Sequence, residues 1–323
     1  MRLADFDVLM PAQGIAAVGK LVAARLPLHE VSPDDARAFA KIALRIRAIA
    51  ATTHAVKIDA SLMRRLPNLE IVASIGVGYD HIDAAWAARH GVIVTHTPGV
   101  LDDEVADVAI ALTICAVRKL PQAERYLREG HWPKHHYPLT ASLRGRTMGI
   151  LGLGRIGKAI ASRAEAFGLK VVYHGRSIQD GARYLYYPTL LGMAQDCDIL
   201  VIAAPGGAGT RHVVNAEVLS ALGPDGVLVN IARGSLVDED ALIAALKNGT
   251  ILAAGLDVFA NEPHVPEALL ALDNAVLLPH VGSASNQTRE AMARLTAENL
   301  FSFAAGAGPL TPVPETPWPV RRA

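Results

Sequence analysis

Three segments of this 323-residue chain end an apolar run with a side chain that can do chemistry. Asn230-Ile231-Ala232-Arg233-Gly234 sets an arginine just past the run VLVN. Asp257, followed by Glu262-Pro263, comes after AAGL, and His280 lies in Leu278-Pro279-His280-Val281-Gly282-Ser283. A guanidinium grips a carboxylate with a planar fork and polarises a carbonyl beside it. An imidazole gives or takes a proton near neutral pH. In an open parallel sheet the carboxyl ends of the strands face one crevice, so these three positions can converge although they are far apart in sequence.

A second pattern concerns phosphate. Gly152-Leu153-Gly154-Arg155-Ile156-Gly157 follows the apolar run Met148–Leu151 and opens a helical pattern over 156–167. In that context Gly152 permits a tight turn, Gly154 leaves no Cβ between backbone and a pyrophosphate, and Gly157 lets the helix sit close to the sheet. The free N–H groups and positive end of the helix then face the phosphates. The next strand, Lys170–His174, normally ends such a unit in a carboxylate that binds the adenosine ribose. Here it runs into Gly175-Arg176-Ser177. No carboxylate stands there to repel a 2′-phosphate, Arg176 offers a charged fork and Ser177 a hydroxyl. The expected cofactor is NADPH in preference to NADH.

Positioning these residues requires a particular scaffold. Short β-branched runs alternate with alanine-rich helical stretches. Strands are expected at 7–10, 46–50, 70–74, 92–95, 147–151, 170–174, 198–203, 226–230, 251–255 and 275–278. Helices are expected at 103–119, 156–167, 238–247 and 287–304. Continuous apolar runs such as ILVIAA are buried on both faces, the mark of a parallel sheet between helices. The class is α/β, doubly wound. Breaks at Thr97-Pro98-Gly99 and at Gly282–Asn286 divide the chain into residues 98–286, a dinucleotide-binding domain, and residues 1–97 with 287–323, a substrate-binding domain. Prolines 309, 312, 314, 317 and 319 make the C-terminus an extended tail rather than a helix.

Composition removes several classes. The chain is 51% hydrophobic, and its 31 basic residues balance 31 acidic ones, which leaves no general attraction for nucleic acid or an anionic membrane. The N-terminal stretch MRLADFDVLM carries two aspartates and does not read as a signal peptide. The longest apolar stretch, 105–117, contains Asp107 and is too short to cross a bilayer. Cys115 and Cys197 are solitary, as in a reducing, cytoplasmic compartment. His131, His135 and His136 have a spacing that invites a metal, but Trp132-Pro133 interrupts any helix that would align them, so a polar loop and no metal are expected. His81, in YDHID, reads as a helix-start residue.

Together GLGRIG, NIARG, GLDVF with NEP, PHVGSAS, SIGVGYDHID and TPGVL with VAD resemble the D-isomer-specific 2-hydroxyacid dehydrogenase family, over about residues 68–292. The GRS after the second strand is most similar to that of its NADPH-dependent glyoxylate/hydroxypyruvate reductases. The resemblance implies a Rossmann cofactor domain inserted into a flavodoxin-like substrate domain, with a cleft between them that closes on a small 2-oxoacid. It implies that His280 is the general acid, that Glu262 orients it and favours its charged form, and that Arg233 holds the substrate carboxylate and polarises the keto group. The amides of Val77 and Gly78 would hold the same carboxylate, and Ser283 would lie near substrate. Pro205, Thr210, Ile231, Ala232, Asp257 and Gly282 would line the cofactor, together with the 152–157 and 175–177 loops, Arg233 and His280. Trp132 resembles an aromatic that reaches a neighbouring subunit's site, and the apolar helix over 103–119 fits a homodimer.

Some features depart from the family pattern. Asp102, Asp103 and Glu104 suit a helix start but would disfavour an anion nearby; the GGAGT after Pro205 would be a more mobile loop; and ATTHAVKID lacks glycines usual on the substrate side. Two other readings stay open: a dehydrogenase for a bulkier D-2-hydroxyacid or for phosphite, and a cofactor-sensing binding protein resembling corepressors of the same fold.

Overall fold

The computed structural model describes residues 5–12, 14–52 and 56–319. The chain opens with β1 (Asp7–Met10), α1 (Ala16–Ala23), β2 (Leu28–Glu30), α2 (Ala36–Ile42), β3 (Ile46–Ala51), α3 (Ala60–Arg64), β4 (Ile71–Ser74), α4 (Ala84–Arg89) and β5 (Ile93–Thr95). Then come α5 (Asp102–Arg118), α6 (Leu120–Arg128), β6 (Thr147–Leu151), α7 (Arg155–Ala166), β7 (Lys170–His174), β8 (Leu185–Tyr187) and α8 (Leu190–Asp196). The alternation continues through β9 (Ile199–Ile202), α9 (Ala216–Leu222), β10 (Val227–Asn230), α10 (Glu239–Lys247), β11 (Ala253–Leu256), α11 (Glu267–Leu270), β12 (Ala275–Leu277) and the long α12 (Asn286–Ala304). Two compact units result: Met1–Leu101 with Ser285–Ala323, and Asp102–Ala284.

The first unit is built on a parallel sheet of order β2-β1-β3-β4-β5, the flavodoxin-like order. Asp35, Asp59 and Asp83 cap α2, α3 and α4 by accepting from Ala38, Leu62 and Trp86 N–H. Each such cap satisfies a donor the helix leaves open and is worth about 1 kcal/mol. The helix expected at His81 therefore starts later, at Ala84 behind the Asp83 cap. After the excursion through the second unit, α12 returns to pack on α1, β3 and β4. The proline-rich end is extended but not a loose tail. Val313 is fully buried in the core of this unit, and Thr316 Oγ1 accepts from Val94 N–H. Three residues of the segment ATTHAVKID, Thr53, His54 and Ala55, lie outside the described residues.

The second unit carries a seven-stranded parallel sheet, β12-β11-β10-β9-β6-β7-β8. Counted from β6, the order is 3-2-1-4-5-6 with a seventh strand added, the dinucleotide-binding winding, and it reverses between β6 and β9. Strands β9, β10 and β11 are buried along their whole length, which is why they read as unbroken apolar runs. Helices α5 and α7 pack on one another, and the acids at the start of α5 meet cations of α7: Asp102 pairs with Arg155 at 2.8 Å, and Asp103 and Asp107 pair with Arg163. Their charge is thus compensated locally instead of standing against an anion. Among the described residues, no helix is long and apolar enough to cross a membrane.

Candidate active site

The turn after β6 is shaped by its glycines. Gly152 has φ 97°, a left-handed conformation that L side chains rarely adopt, and a Cβ there would lie 2.8 Å from the Ala204 backbone. A Cβ on Gly157 would lie 2.1 Å from the Gly152 carbonyl oxygen, so helix and strand approach as closely as they do only without it. Above Gly154 the space is open, with nothing within 4 Å of a built Cβ. Gly154 is the N-cap of α7, and no side chain caps the helix. The Arg155, Ile156 and Gly157 amides of the first turn therefore keep their anion-binding capacity, while the Arg155 guanidinium is held by Asp102. Leu153 turns its side chain into the core. These residues fit a dinucleotide pyrophosphate.

The loop after β7 is fastened to that turn. Gln179 Nε2 donates to the Leu153 carbonyl at 2.7 Å, and its backbone N–H donates to the hydroxyl of the fully buried Tyr173 at 2.9 Å. Tyr186 donates to the Gly175 carbonyl at 3.2 Å. Arg176 and Ser177 thus sit on an exposed loop with anchored ends, and nothing lies within 4 Å of a Cβ built on Gly175. Neither Gln179 nor Tyr173 was legible as a site residue, because each acts on a partner chosen by the fold.

The acid–base group is assembled at the ends of β10, β11 and β12. Glu262 Oε2 accepts from His280 Nδ1 at 2.7 Å, and Oε1 accepts from the Phe259 N–H at 3.0 Å. With Nδ1–H committed to the carboxylate, Nε2 is the ring atom that carries or releases the exchangeable proton. His280 stands at φ 52°, left-handed, and three bonds from Asp257 hold it there. The Asp257 carbonyl accepts the His280 N–H at 2.9 Å, while its carboxylate accepts from Val281 N–H at 2.7 Å and Gly282 N–H at 2.8 Å. A Cβ on Gly282 would meet that carboxylate at 2.8 Å. The Arg233 turn is tied by the buried Asn230, whose Oδ1 accepts from Ala232 N–H and whose Nδ2 donates to the Arg233 carbonyl. Gly234 packs directly on the Phe259–Ala260 backbone, a contact that any Cβ would occupy. The turn bearing Arg233 and the loop bearing Glu262 are thus in contact. Asn230 was missed as a functional position, although an Asn at a strand end before a turn is the signal for such a side-chain clamp.

The electrostatics follow from this packing. Burial pushes the Glu262 carboxyl up, but the His280 hydrogen bond, the Phe259 N–H and the charges of His280 and Arg233 outweigh it and hold the group below its ordinary value. Burial pushes the Asp257 carboxyl up and prevails over the two loop amides and the His280 charge that pull it down. A carboxyl with a lowered folded pKa stabilises the fold above its unfolded value of about 4.3 and loses that contribution as pH falls through the lowered value. The Tm difference between wild type and Glu262→Gln should therefore be largest at neutral pH and shrink as pH falls below about 4. Calorimetry across that range checks this, and a difference that grows in acid would contradict it.

The remaining sequence candidates are placed as follows. Thr210 donates its hydroxyl to the Pro205 carbonyl at 2.9 Å, latching the GGAGT loop. Ile231 is buried and Ala232 half-buried at the head of the Arg233 turn, and Ser283 is half-buried in the turn after His280. Val77 and Gly78 belong to the first unit, in the turn that follows β4. Trp132 is 61% exposed, and the segment carrying His131, His135 and His136 is non-helical. Burial pushes the Cys197 thiol up to about 12, which leaves it unreactive.

Against known proteins, the model of the D-isomer specific 2-hydroxyacid dehydrogenase NAD binding domain matches residues 110–282. Glyoxylate/hydroxypyruvate reductase A of Arabidopsis thaliana is 51% identical over 79% of this chain and 82% of its own length. Hydroxyphenylpyruvate reductase of Plectranthus scutellarioides is 47% identical over 83% and 85%. Among solved structures, the NADPH-dependent glyoxylate/hydroxypyruvate reductase of Sinorhizobium meliloti, crystallised with NADP and malonate, superposes with a TM-score of 0.92 at 48% identity, covering 99% of this chain and all of that one. By this matching the chain belongs to the D-isomer-specific 2-hydroxyacid dehydrogenase family.

Proposed function

We propose that the protein is an NADPH-dependent reductase of small 2-oxoacids, with glyoxylate and hydroxypyruvate as preferred substrates and glycolate and D-glycerate as products. The observation that carries this reading is the 2.7 Å bond from His280 Nδ1 to Glu262, which leaves Nε2 for proton donation beside a guanidinium-bearing turn. The reduced nicotinamide, when bound, supplies hydride to the carbonyl carbon. His280 gives its Nε2 proton to the carbonyl oxygen, and Glu262 keeps the ring oriented and stabilises its charged form. Arg233 binds the carboxylate and draws negative charge toward the keto oxygen. The Val77 and Gly78 amides of the first unit donate to the same carboxylate, and Ser283 lies near substrate.

The cofactor is held by Gly152, Leu153, Gly154, Arg155, Ile156 and Gly157 at the pyrophosphate, with Pro205, Thr210, Ile231, Ala232 and Gly282 along its length. Asp257 acts there through the loop it organises. Gly175, Arg176 and Ser177 take the 2′-phosphate. The second unit is accordingly the dinucleotide-binding domain and the first the substrate-binding domain. NADPH oxidation and NADH oxidation measured with glyoxylate, hydroxypyruvate, pyruvate, 3-phosphohydroxypyruvate and 4-hydroxyphenylpyruvate test the reading. The expected result is a higher kcat/KM with NADPH than with NADH and with glyoxylate and hydroxypyruvate than with the other three; absence of turnover with every 2-oxoacid would overturn it. The aromatic substrate is included because the Plectranthus relative carries that activity in its name.

A homodimer is part of the proposal. Helix α6 buries no residue, and Leu120, Leu127, Trp132 and Leu139 are exposed on and beyond it, apolar side chains that a second copy would cover. Light scattering at twice the monomer mass supports it, and a monomer overturns it. A cytoplasmic location is proposed from the two free cysteines.

A further inference from the structure

The turn Ile75–Gly78 follows β4, and its carbonyls are tied down by the two residues that follow β5. Gly76, at φ 106°, accepts the Thr97 N–H on its carbonyl at 2.9 Å and donates its own N–H to Thr97 Oγ1 at 2.9 Å. The Val77 carbonyl lies 3.0 Å from His96 Nδ1. A carbonyl only accepts, so Nδ1 carries the proton. A trans peptide holds its C=O and N–H on opposite sides. Fixing the Gly76 carbonyl on Thr97 therefore aims the Val77 N–H away from Thr97. Fixing the Val77 carbonyl on His96 aims the Gly78 N–H away from His96. Among the described residues neither amide has an acceptor. Two consecutive N–H groups thus both turn away from the His96–Thr97 segment and are open to an anion.

His96 is itself held. Its N–H donates to the Thr311 carbonyl at 3.2 Å, and the Thr311 hydroxyl donates to the His96 carbonyl at 2.6 Å. Asn299, fully buried on α12, accepts from the Leu310 and Thr311 N–H groups and donates to Thr311 Oγ1 at 2.9 Å. Tyr79 sets its ring edge-on to the imidazole, with centroids 5.6 Å apart. We propose that His96, locked by the Thr311 strap, is a positioning residue that aims the Gly78 amide at the substrate carboxylate. The proposal rests on the reading of the Val77–Gly78 turn as the carboxylate site. It adds a C-terminal segment, remote in sequence, that sets how well that site is preformed.

The test is steady-state kinetics on the full-length protein with glyoxylate and NADPH. His96→Ala should raise the glyoxylate KM about tenfold, with kcat and the KM for NADPH within about twofold of wild type. His96→Asn, whose side-chain amide places a donor near the position of Nδ1, should recover most of the loss. Thr311→Val keeps the strap's volume but removes the hydroxyl, and should raise the same KM by a smaller factor, which carries the test if His96→Ala does not fold. An unchanged glyoxylate KM, equal losses for both substrates, or no recovery in His96→Asn overturns the positioning role while the function stands. A wild-type protein that turns over no 2-oxoacid overturns the function reading, and this proposal with it.

Discussion

Replacing His280 with alanine is expected to lower kcat for glyoxylate reduction by roughly 10²–10⁴-fold, the usual contribution of a positioned general acid. Affinity for NADPH should stay within about twofold, because the ring's bond to Glu262 and the backbone bond to Asp257 lie in the 257–282 loops and not in the glycine turn at 152–157. The loop geometry should also survive. Val281 and Gly282 keep their bonds to the Asp257 carboxylate, and those bonds do not involve the ring. The left-handed backbone at position 280 disfavours any residue with a Cβ, so it is a strain that the wild type already carries. Added imidazole should restore part of the lost turnover, in proportion to its concentration. An unchanged kcat would remove His280 from proton transfer, and a large loss of NADPH affinity would make it a cofactor residue instead.

Arg233→Ala should reduce kcat/KM for glyoxylate by about 10³-fold, since it deletes both the carboxylate clamp and the donor that polarises the keto group. The backbone of its turn is secured by Asn230, at 2.9 Å and 3.0 Å, and by the packing of Gly234 on Phe259, so the change is confined to the side chain. Arg233→Lys restores the charge but not the planar fork and should recover only a part of the activity. Loss of the arginine also removes one of the charges that hold the Glu262 carboxyl low. The pH dependence of stability in Arg233→Ala should thus move toward that of an ordinary carboxylate. Stopped-flow binding of NADPH separates this from a cofactor effect. A variant that loses NADPH affinity as much as it loses turnover would contradict the assignment.

The residues themselves explain what could be read from sequence. Strands β1, β6 and β7 were legible to the residue, and β9 and β10 nearly so; all but β7, whose Lys170 is exposed, are largely apolar runs buried along most of their length and bounded by turns. Strands β2 and β8, Leu-His-Glu and Leu-Tyr-Tyr, were not expected: each is three residues long, lies at a sheet edge and is not fully buried, so no apolar run marks it. Strand β11 was expected at 251–255 and forms at Ala253–Leu256, since Ile251 is equally buried but stands before the ladder begins. Helix α6 escaped notice because it buries none of its residues.

At the site, the pairing of Glu262 with His280 followed from the family resemblance of the loops that carry them, while their place at strand ends said only that they could converge. The supporting bonds were not. Gln179 reaches Leu153, Asp257 reaches Val281 and Gly282, and His96 reaches Val77 and is held by Thr311. Each joins residues whose proximity only the folded chain decides. The proline-rich end illustrates the same limit. Its prolines exclude a helix, but nothing in their spacing says that Val313 enters the core.

The central claim is that His280 and Arg233 act on one keto group. A crystal structure of the protein with NADP⁺ and oxalate, an unreactive mimic of glyoxylate, tests it most directly. The account predicts an oxalate oxygen within about 2.6–3.2 Å of His280 Nε2, with the Arg233 guanidinium on the same ligand and Glu262 still on Nδ1. Oxalate bound with neither side chain in contact would contradict it.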